Sequence, residues 1–236
     1  MLLRIRIALA FLTILPLRLP GRLTEPDLAG SMAFFPLAGW VIGGLLAGAA
    51  WVFSLLAVPA LPAAVAVVAL QAWFTRALHL DGLADLIDAL GGGNTPERRL
   101  AIMKDSAIGA FGVVGLICLL LLKASCIFLL LDRQMAWEHY LMLAGVPALS
   151  RWAMTALAYK MKYPRQTGTG HPFVGKVAFG SLMIGAFTCL PVFLLQGAGA
   201  GMIAASLAPS LWLRNKAEKA LGGITGDVLG AACELG

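Results

Sequence analysis

Three aspartates, Asp81, Asp85 and Asp88, stand at i, i+4 and i+7. At about 100° per residue, a helix puts all three within about 60° of one another. Carboxylates this close repel unless they are protonated or neutralised, and a bound cation relieves the repulsion. Mg2+ takes oxygen ligands, keeps some of its water and commonly bridges carboxylates to substrate phosphates. Asp81, Asp85 and Asp88 are therefore candidate metal ligands. The plainer alternative is a solvated helix start that happens to be acidic. Gly82 and the run Gly91, Gly92, Gly93 permit close backbone approach or sharp turns beside the cluster. His79, two residues upstream, reads equally well as an orienting group or as a packed side chain.

Other charged residues add candidates along the chain. Arg98, Arg99 and Lys104 could contact phosphate oxygens or be ordinary loop charge, and for Arg99 the second reading is favoured. Asp105 precedes Ser106, Gly109 and Gly112, which predicts a helix starting after an acidic, polar cap. Asp105 also reaches a metal at the cluster if its loop folds back. Lys123 and Arg151 fall inside apolar segments, where a charge points to function by default and snorkelling is the alternative. Arg165 lies in Y-P-R-Q-T-G-T-G-H (163–171), whose glycines suit an anion-binding nest. Asp227 and Glu234, at i and i+7, share a helix face, and Gly226 and Gly230 leave room for tight helix packing.

The elements that must position these groups are membrane helices. The 236 residues are 60% apolar and 13% charged, whereas soluble domains are near half apolar and a quarter charged. The segments 28–75 and 177–213 carry no charge, and each suits two spans of about 20 residues. The pattern predicts an all-α, polytopic membrane bundle forming one domain over 1–236. Six spans are expected, over 31–58, 63–78, 107–131, 140–158, 177–195 and 200–213, after an interfacial or half-inserted helix at 1–17. The segment 80–106 reads as the one long polar region. Every Lys and Arg outside the spans, Arg133 excepted, falls on one set of loops. The positive-inside rule then places both termini and the long loops in the cytoplasm. The formal charge of +6 is read as this loop bias, with no nucleic-acid partner. The four cysteines form no C-x-x-C pair and read as small core residues.

Taken together, these segments resemble the cobalamin synthase (adenosylcobinamide-GDP ribazoletransferase) family. The resemblance is carried by H-L-D-G-L-A-D-L-I-D-A-L at 79–90, E-R-R-L-A-I-M-K-D-S-A-I-G-A-F-G at 97–112 and S-R-W at 150–152. It continues in the Arg165 glycine loop, in L-G-G-I-T-G-D-V-L-G-A-A-C-E-L-G at 221–236, and in F-L-T-I-L-P-L and F-F-P-L-A-G near the start. It covers nearly the whole chain. One departure is that the family usually continues past E-L-G with a further apolar helix.

The resemblance implies an enzyme of the prokaryotic inner membrane, multi-pass, with its site facing the cytoplasm. It implies Mg2+ and two small-molecule substrates, adenosylcobinamide-GDP and α-ribazole or its 5′-phosphate, with GMP released at the last stage of coenzyme B12 assembly. Such a transfer depends on positioning and on neutralising phosphate charge. Asp81, Asp85 and Asp88 are then expected to hold Mg2+, and Asp105, followed by Asp88, to act as general base. Lys104, Arg151 and Arg165 are expected to pair with phosphate oxygens, and Arg98, Lys123, Asp227 and Glu234 complete the candidate substrate-binding set. Self-association into a homo-oligomer stays open. Two rivals remain at this point. One is a CDP-alcohol phosphotransferase-like lipid head-group transferase, because D-G-x-x-A distantly resembles that family's core. The other is a transporter, against which stands the gathering of acids on one face rather than at the midplane.

Overall fold

The computed structural model describes residues 1–132 and 135–236. Among the described residues the chain forms eleven α-helices and no strand, the all-α bundle that the composition requires. Arg133, the one basic residue expected on the opposite set of loops, lies outside the described residues.

The amino-terminal helix α1 (Leu2–Leu12) packs inward through Ile7, Ala8 and Leu12. A short helix α2 (Glu25–Ser31), capped by Thr24, leads through one 3-10 turn into α3 (Phe35–Leu55). Helix α4 (Ala60–Phe74) is followed by α5 (Leu78–Gly92), α6 (Pro96–Ile102) and α7 (Ala110–Leu131). Then come α8 (Trp137–Ala158), α9 (Phe179–Thr188), α10 (Gly197–Leu221) and α11 (Gly226–Leu235).

The 31-residue stretch Glu25–Leu55, α7 and α8 are long and apolar enough to cross a membrane, and the pair α4 and α5 makes a fourth if counted as one span. Several expected boundaries shift for local reasons. The second span ends at Phe74, where Arg76 and Ala77 adopt left-handed backbone angles and the axis turns by 91° into α5. That elbow is tied to the amino-terminal segment, because Ile14 N–H donates to Phe74 O and Arg76 Nη2 to Thr13 O. The expected polar region 80–106 is therefore mostly helix. The expected fifth span breaks after Thr188 into a 3-10 stretch, Leu190–Leu195, that contains Pro191. The sixth runs on to Leu221, carrying Arg214, Lys216 and Lys219.

Small residues set the tightest packing. A Cβ added at Gly39 or Gly43 of α3 would strike the backbone of Pro147 or Ala144 in α8, so these two helices touch backbone to backbone. Gly82 of α5 meets the backbone of Asp227, and Gly230 of α11 meets that of His79, which lays α5 and α11 side by side in opposite directions. The largest buried cluster joins Leu83 and Leu86 of α5 to Met154 and Leu157 of α8, Leu213 and Leu221 of α10, and Leu229 of α11. Helix α7 instead exposes Val114, Ile117, Leu121, Leu122 and Leu129, an apolar face suited to lipid.

Candidate active site

The α5 and α11 contact builds the site. Because Gly82 lets α11 approach, Asp227 at the start of α11 comes level with Asp81 and Asp85 of α5. All three line one cavity of about 290 Å³, together with Thr169 and Gly170 of the α8–α9 loop. The loop is held there by its own glycines. Gly170 lies against the backbone of Gly226, and Ile224 N–H donates to Lys162 O at 2.9 Å. Arg165 of the same loop forms an ion pair with Asp227, Nη1 to Oδ2 at 3.0 Å, and only 10% of its side chain is exposed. Its Nε and Nη2 are buried without a hydrogen-bond partner. Burial pushes the Asp227 carboxyl above its ordinary value of 3.8, against the opposing pull of Arg165. Thr225 accepts from Val228 N–H, which caps α11 and fixes where Asp227 starts.

The other wall is apolar. Phe11, Phe35 and Phe173 line the cavity and contact one another, with ring centroids 5.1–6.0 Å apart. The sequence reading used the segments holding Phe11 and Phe35 as family likeness and missed this wall. No spacing rule marks three aromatics drawn from α1, α3 and a loop.

Three of the candidate residues, Asp81, Asp85 and Asp227, thus converge on the cavity, and Arg165 joins them through its ion pair with Asp227. Asp88 does not line the cavity. It is buried, and its two carboxylate oxygens accept from Gly109 N–H at 2.7 Å and Gly112 N–H at 2.8 Å. The acidic cap of α7 is therefore Asp88, and the expected role of Asp105 as that cap is corrected. The orphan N–H groups at the start of α7 lie at Gly109 and Gly112, because the helix begins at Ala110. Asp105 is exposed and accepts from Ala107 N–H within its own turn, and Lys104 and Arg98 are exposed nearby. Arg99 clasps two backbone carbonyls, Gly93 O and Ala220 O, and so ties α6 to α10.

Lys123 and Glu234 pair with each other at 2.5 Å beside a second, mostly apolar cavity. Arg151 is 1% exposed and reaches His79.

With this geometry in hand, the relatives are informative. The family model for cobalamin-5-phosphate synthase matches residues 4–236. The chain is 44% identical to an adenosylcobinamide-GDP ribazoletransferase of Syntrophobacter fumaroxidans, over 97% of this chain and 92% of that one. It is 42% identical to the enzyme of that name from Geotalea daltonii, over 97% and 91%. It is 36% identical to that of a Roseiflexus species, over 97% and 84%. The chain belongs to the cobalamin-5-phosphate synthase family. It is accordingly a membrane-embedded transferase of cobalamin biosynthesis. No solved structure matches it.

Transferases acting on diphosphates commonly use Mg2+. Among the described residues no three His, Cys, Asp or Glu side chains form a ready-made metal cage. The two carboxylates of Asp81 and Asp85, one helical turn apart on the cavity wall, fit the habit of Mg2+ instead. This ion takes one or two carboxylates and completes its shell with water and substrate phosphate.

Proposed function

We propose that this chain joins adenosylcobinamide-GDP to α-ribazole, or to its 5′-phosphate, and releases GMP. What carries the reading is the convergence on one cavity of Asp81, Asp85 and Asp227, with Arg165 paired to Asp227 beside it and keeping two nitrogens without partners. That is the equipment for a charged diphosphate, and the relatives are named for transfer from such a substrate.

The ribazole 3′-hydroxyl attacks the phosphorus bonded to cobinamide. A new O–P bond forms as the anhydride P–O bond breaks, and GMP leaves with the electron pair. Asp227 takes the hydroxyl proton, and burial raises its affinity for one. Arg165, anchored on Asp227, offers its remaining donors to phosphate oxygens in a planar fork. Asp81 and Asp85 would hold Mg2+, which when bound would offset the phosphate charge. Helix α5 keeps these two carboxylates on the cavity side, while Asp88 anchors α7.

The site faces the cytoplasm of a prokaryotic inner membrane. This is supported by the clasping together of the basic loops. Glu25 pairs with Lys176, Arg99 reaches Ala220, and Arg165 reaches Asp227. The test is release of GMP by purified protein in liposomes, which requires adenosylcobinamide-GDP, α-ribazole and Mg2+ together. Release without α-ribazole would show hydrolysis, and absence of release would end this reading.

A further inference from the structure

We propose that the groove between α5, α7 and α10 binds an anionic phospholipid, with an acyl chain in the groove and the headgroup phosphate on Lys216 and Lys219. This site is separate from the aspartate cavity and does not depend on the reaction proposed above.

The groove measures about 330 Å³, and among the residues lining it are Leu86 and Leu90 of α5, Cys118 and Leu122 of α7, and Trp212 and Leu213 of α10. No charged side chain lines it among the described residues. It lies behind the aspartate cavity, because Leu86 and Leu90 project about 100° and about 140° from Asp85 around α5. Leu122 and Trp212 are exposed, so the groove opens sideways, toward the space that lipid fills around the apolar face of α7. Apolar walls with nothing opposite them forfeit dispersion contacts, and an acyl chain restores them.

Charge selects the kind of lipid. With Trp212 at the origin of a helical projection, Leu213 lies at about 100°, Lys216 at about 40° and Lys219 at about −20°. Lys216 therefore projects between the two α10 residues that line the groove, and Lys219 projects beside Trp212. The two lysines follow Trp212 along the axis by about 6 and about 10 Å. Both are exposed, and neither enters an ion pair among the described residues. Arg214 and Glu218, at about 200° and about 240°, project to the other side of the helix. Tryptophan favours the boundary between hydrocarbon and headgroups, and ammonium groups beyond it attract anionic lipid. The order of apolar groove, tryptophan and two lysines matches the order of acyl chain, glycerol and phosphate. A second copy is the poorer occupant. Two copies meeting here about an axis along the membrane normal would set each lysine level with its own counterpart, like charge facing like charge.

The experiment uses the full chain in phosphatidylcholine vesicles that contain a minor fraction of lipid with brominated acyl chains, which quench nearby tryptophan. The chain has six tryptophans, so the Trp212 signal is the difference from Trp212→Phe. At equal mole fraction, brominated phosphatidylglycerol should quench Trp212 more than brominated phosphatidylcholine does. The preference should fall by about 5-fold in Lys216→Gln and again in the double variant with Lys219→Gln, the attraction of about one lysine each. Lys216→Arg should keep it. Arg214→Gln, which removes a charge from the other side of the helix, should leave it unchanged. Equal quenching by the two lipids in the unaltered chain would overturn the proposal. So would a preference that survives in the double variant, or one that falls as much in Arg214→Gln, which would show attraction by the overall basic surface only. Trp212 quenched by neither lipid would mean that a second copy or another protein covers the groove, and would overturn it equally.

Discussion

Asp81, Asp85 and Asp88 share a helix face yet meet different surroundings. Asp81 and Asp85 face the cavity, whereas both oxygens of Asp88 are engaged by the start of α7. Their Asn variants should therefore separate. Asp81→Asn and Asp85→Asn should lower GMP release, with part of the loss recovered at high Mg2+, since a weakened ligand set is refilled by mass action. Asp88→Asn removes the charge from two helix-terminal hydrogen bonds and leaves one N–H facing an amide donor. It should cost about 1–2 kcal/mol of stability, lower the melting temperature, and show no Mg2+ rescue. Equal Mg2+ rescue in all three would put Asp88 back in the metal site. Asp227 governs a pH effect. Its carboxyl sits above 3.8 because it is buried, so as pH falls it protonates early and ceases to accept the hydroxyl proton. The acid limb of kcat/KM should lie above the ordinary aspartate range, with activity rising as pH rises through it, and the limb should vanish in the residual activity of Asp227→Asn. An unchanged limb in that variant would assign the base elsewhere. Replacing Arg165 with Lys keeps charge but not the fork, so it should restore only part of what Arg165→Ala loses.

At the scale of elements, glycine placement decides which helices can meet. Gly43 faces the backbone of Ala144, whereas neighbouring Gly44 has nothing within 4 Å of its would-be Cβ. Gly43→Ala should thus force α3 from α8, at about 1–3 kcal/mol for overpacking. Gly44→Ala should be neutral or gain up to about 1 kcal/mol in helix propensity. Thermal melts of the two variants in one detergent check this, and equal melting points would refute the contact. Periodicity alone does not distinguish these glycines, because both sit in one uninterrupted apolar run. The bend between α4 and α5 was likewise illegible in the sequence. The segment 63–78 carries no charge before Arg76, and no Gly or Pro marks the left-handed turn at Arg76 and Ala77.

For the molecule as a whole, the lopsided charge of the loops was legible without coordinates, and the structure links those loops by named contacts at Arg76, Arg99, Arg165 and Lys176. If that face is cytoplasmic, reporter fusions at Gly93 and Thr169 should report the cytoplasm, and fusions at Leu61 and Gly197 the opposite side. An inverted pattern would move the aspartate cavity across the membrane. The span count behaves differently. Six apolar segments are readable, but among the described residues three helices, or four with the bent pair, are long and apolar enough to cross. Pro191 and the polar end of α10 break the simple pattern.

What the sequence by itself determined is therefore chemical and periodic. Apolar composition compelled a helical membrane bundle, because lipid offers no partners to backbone N–H and C=O groups. The i, i+4 spacing put Asp81 and Asp85 on one side of a helix, and the joint motifs named the family. Which of the charged residues meet was decided by tertiary packing. Asp227 joins the cavity because Gly82 admits α11. Asp88 leaves it because the first turn of α7 needs acceptors, and Lys123 and Glu234 neutralise each other elsewhere. Helical spacing orders side chains along one axis only, and the approach of a second helix depends on contacts more than a hundred residues away in the chain.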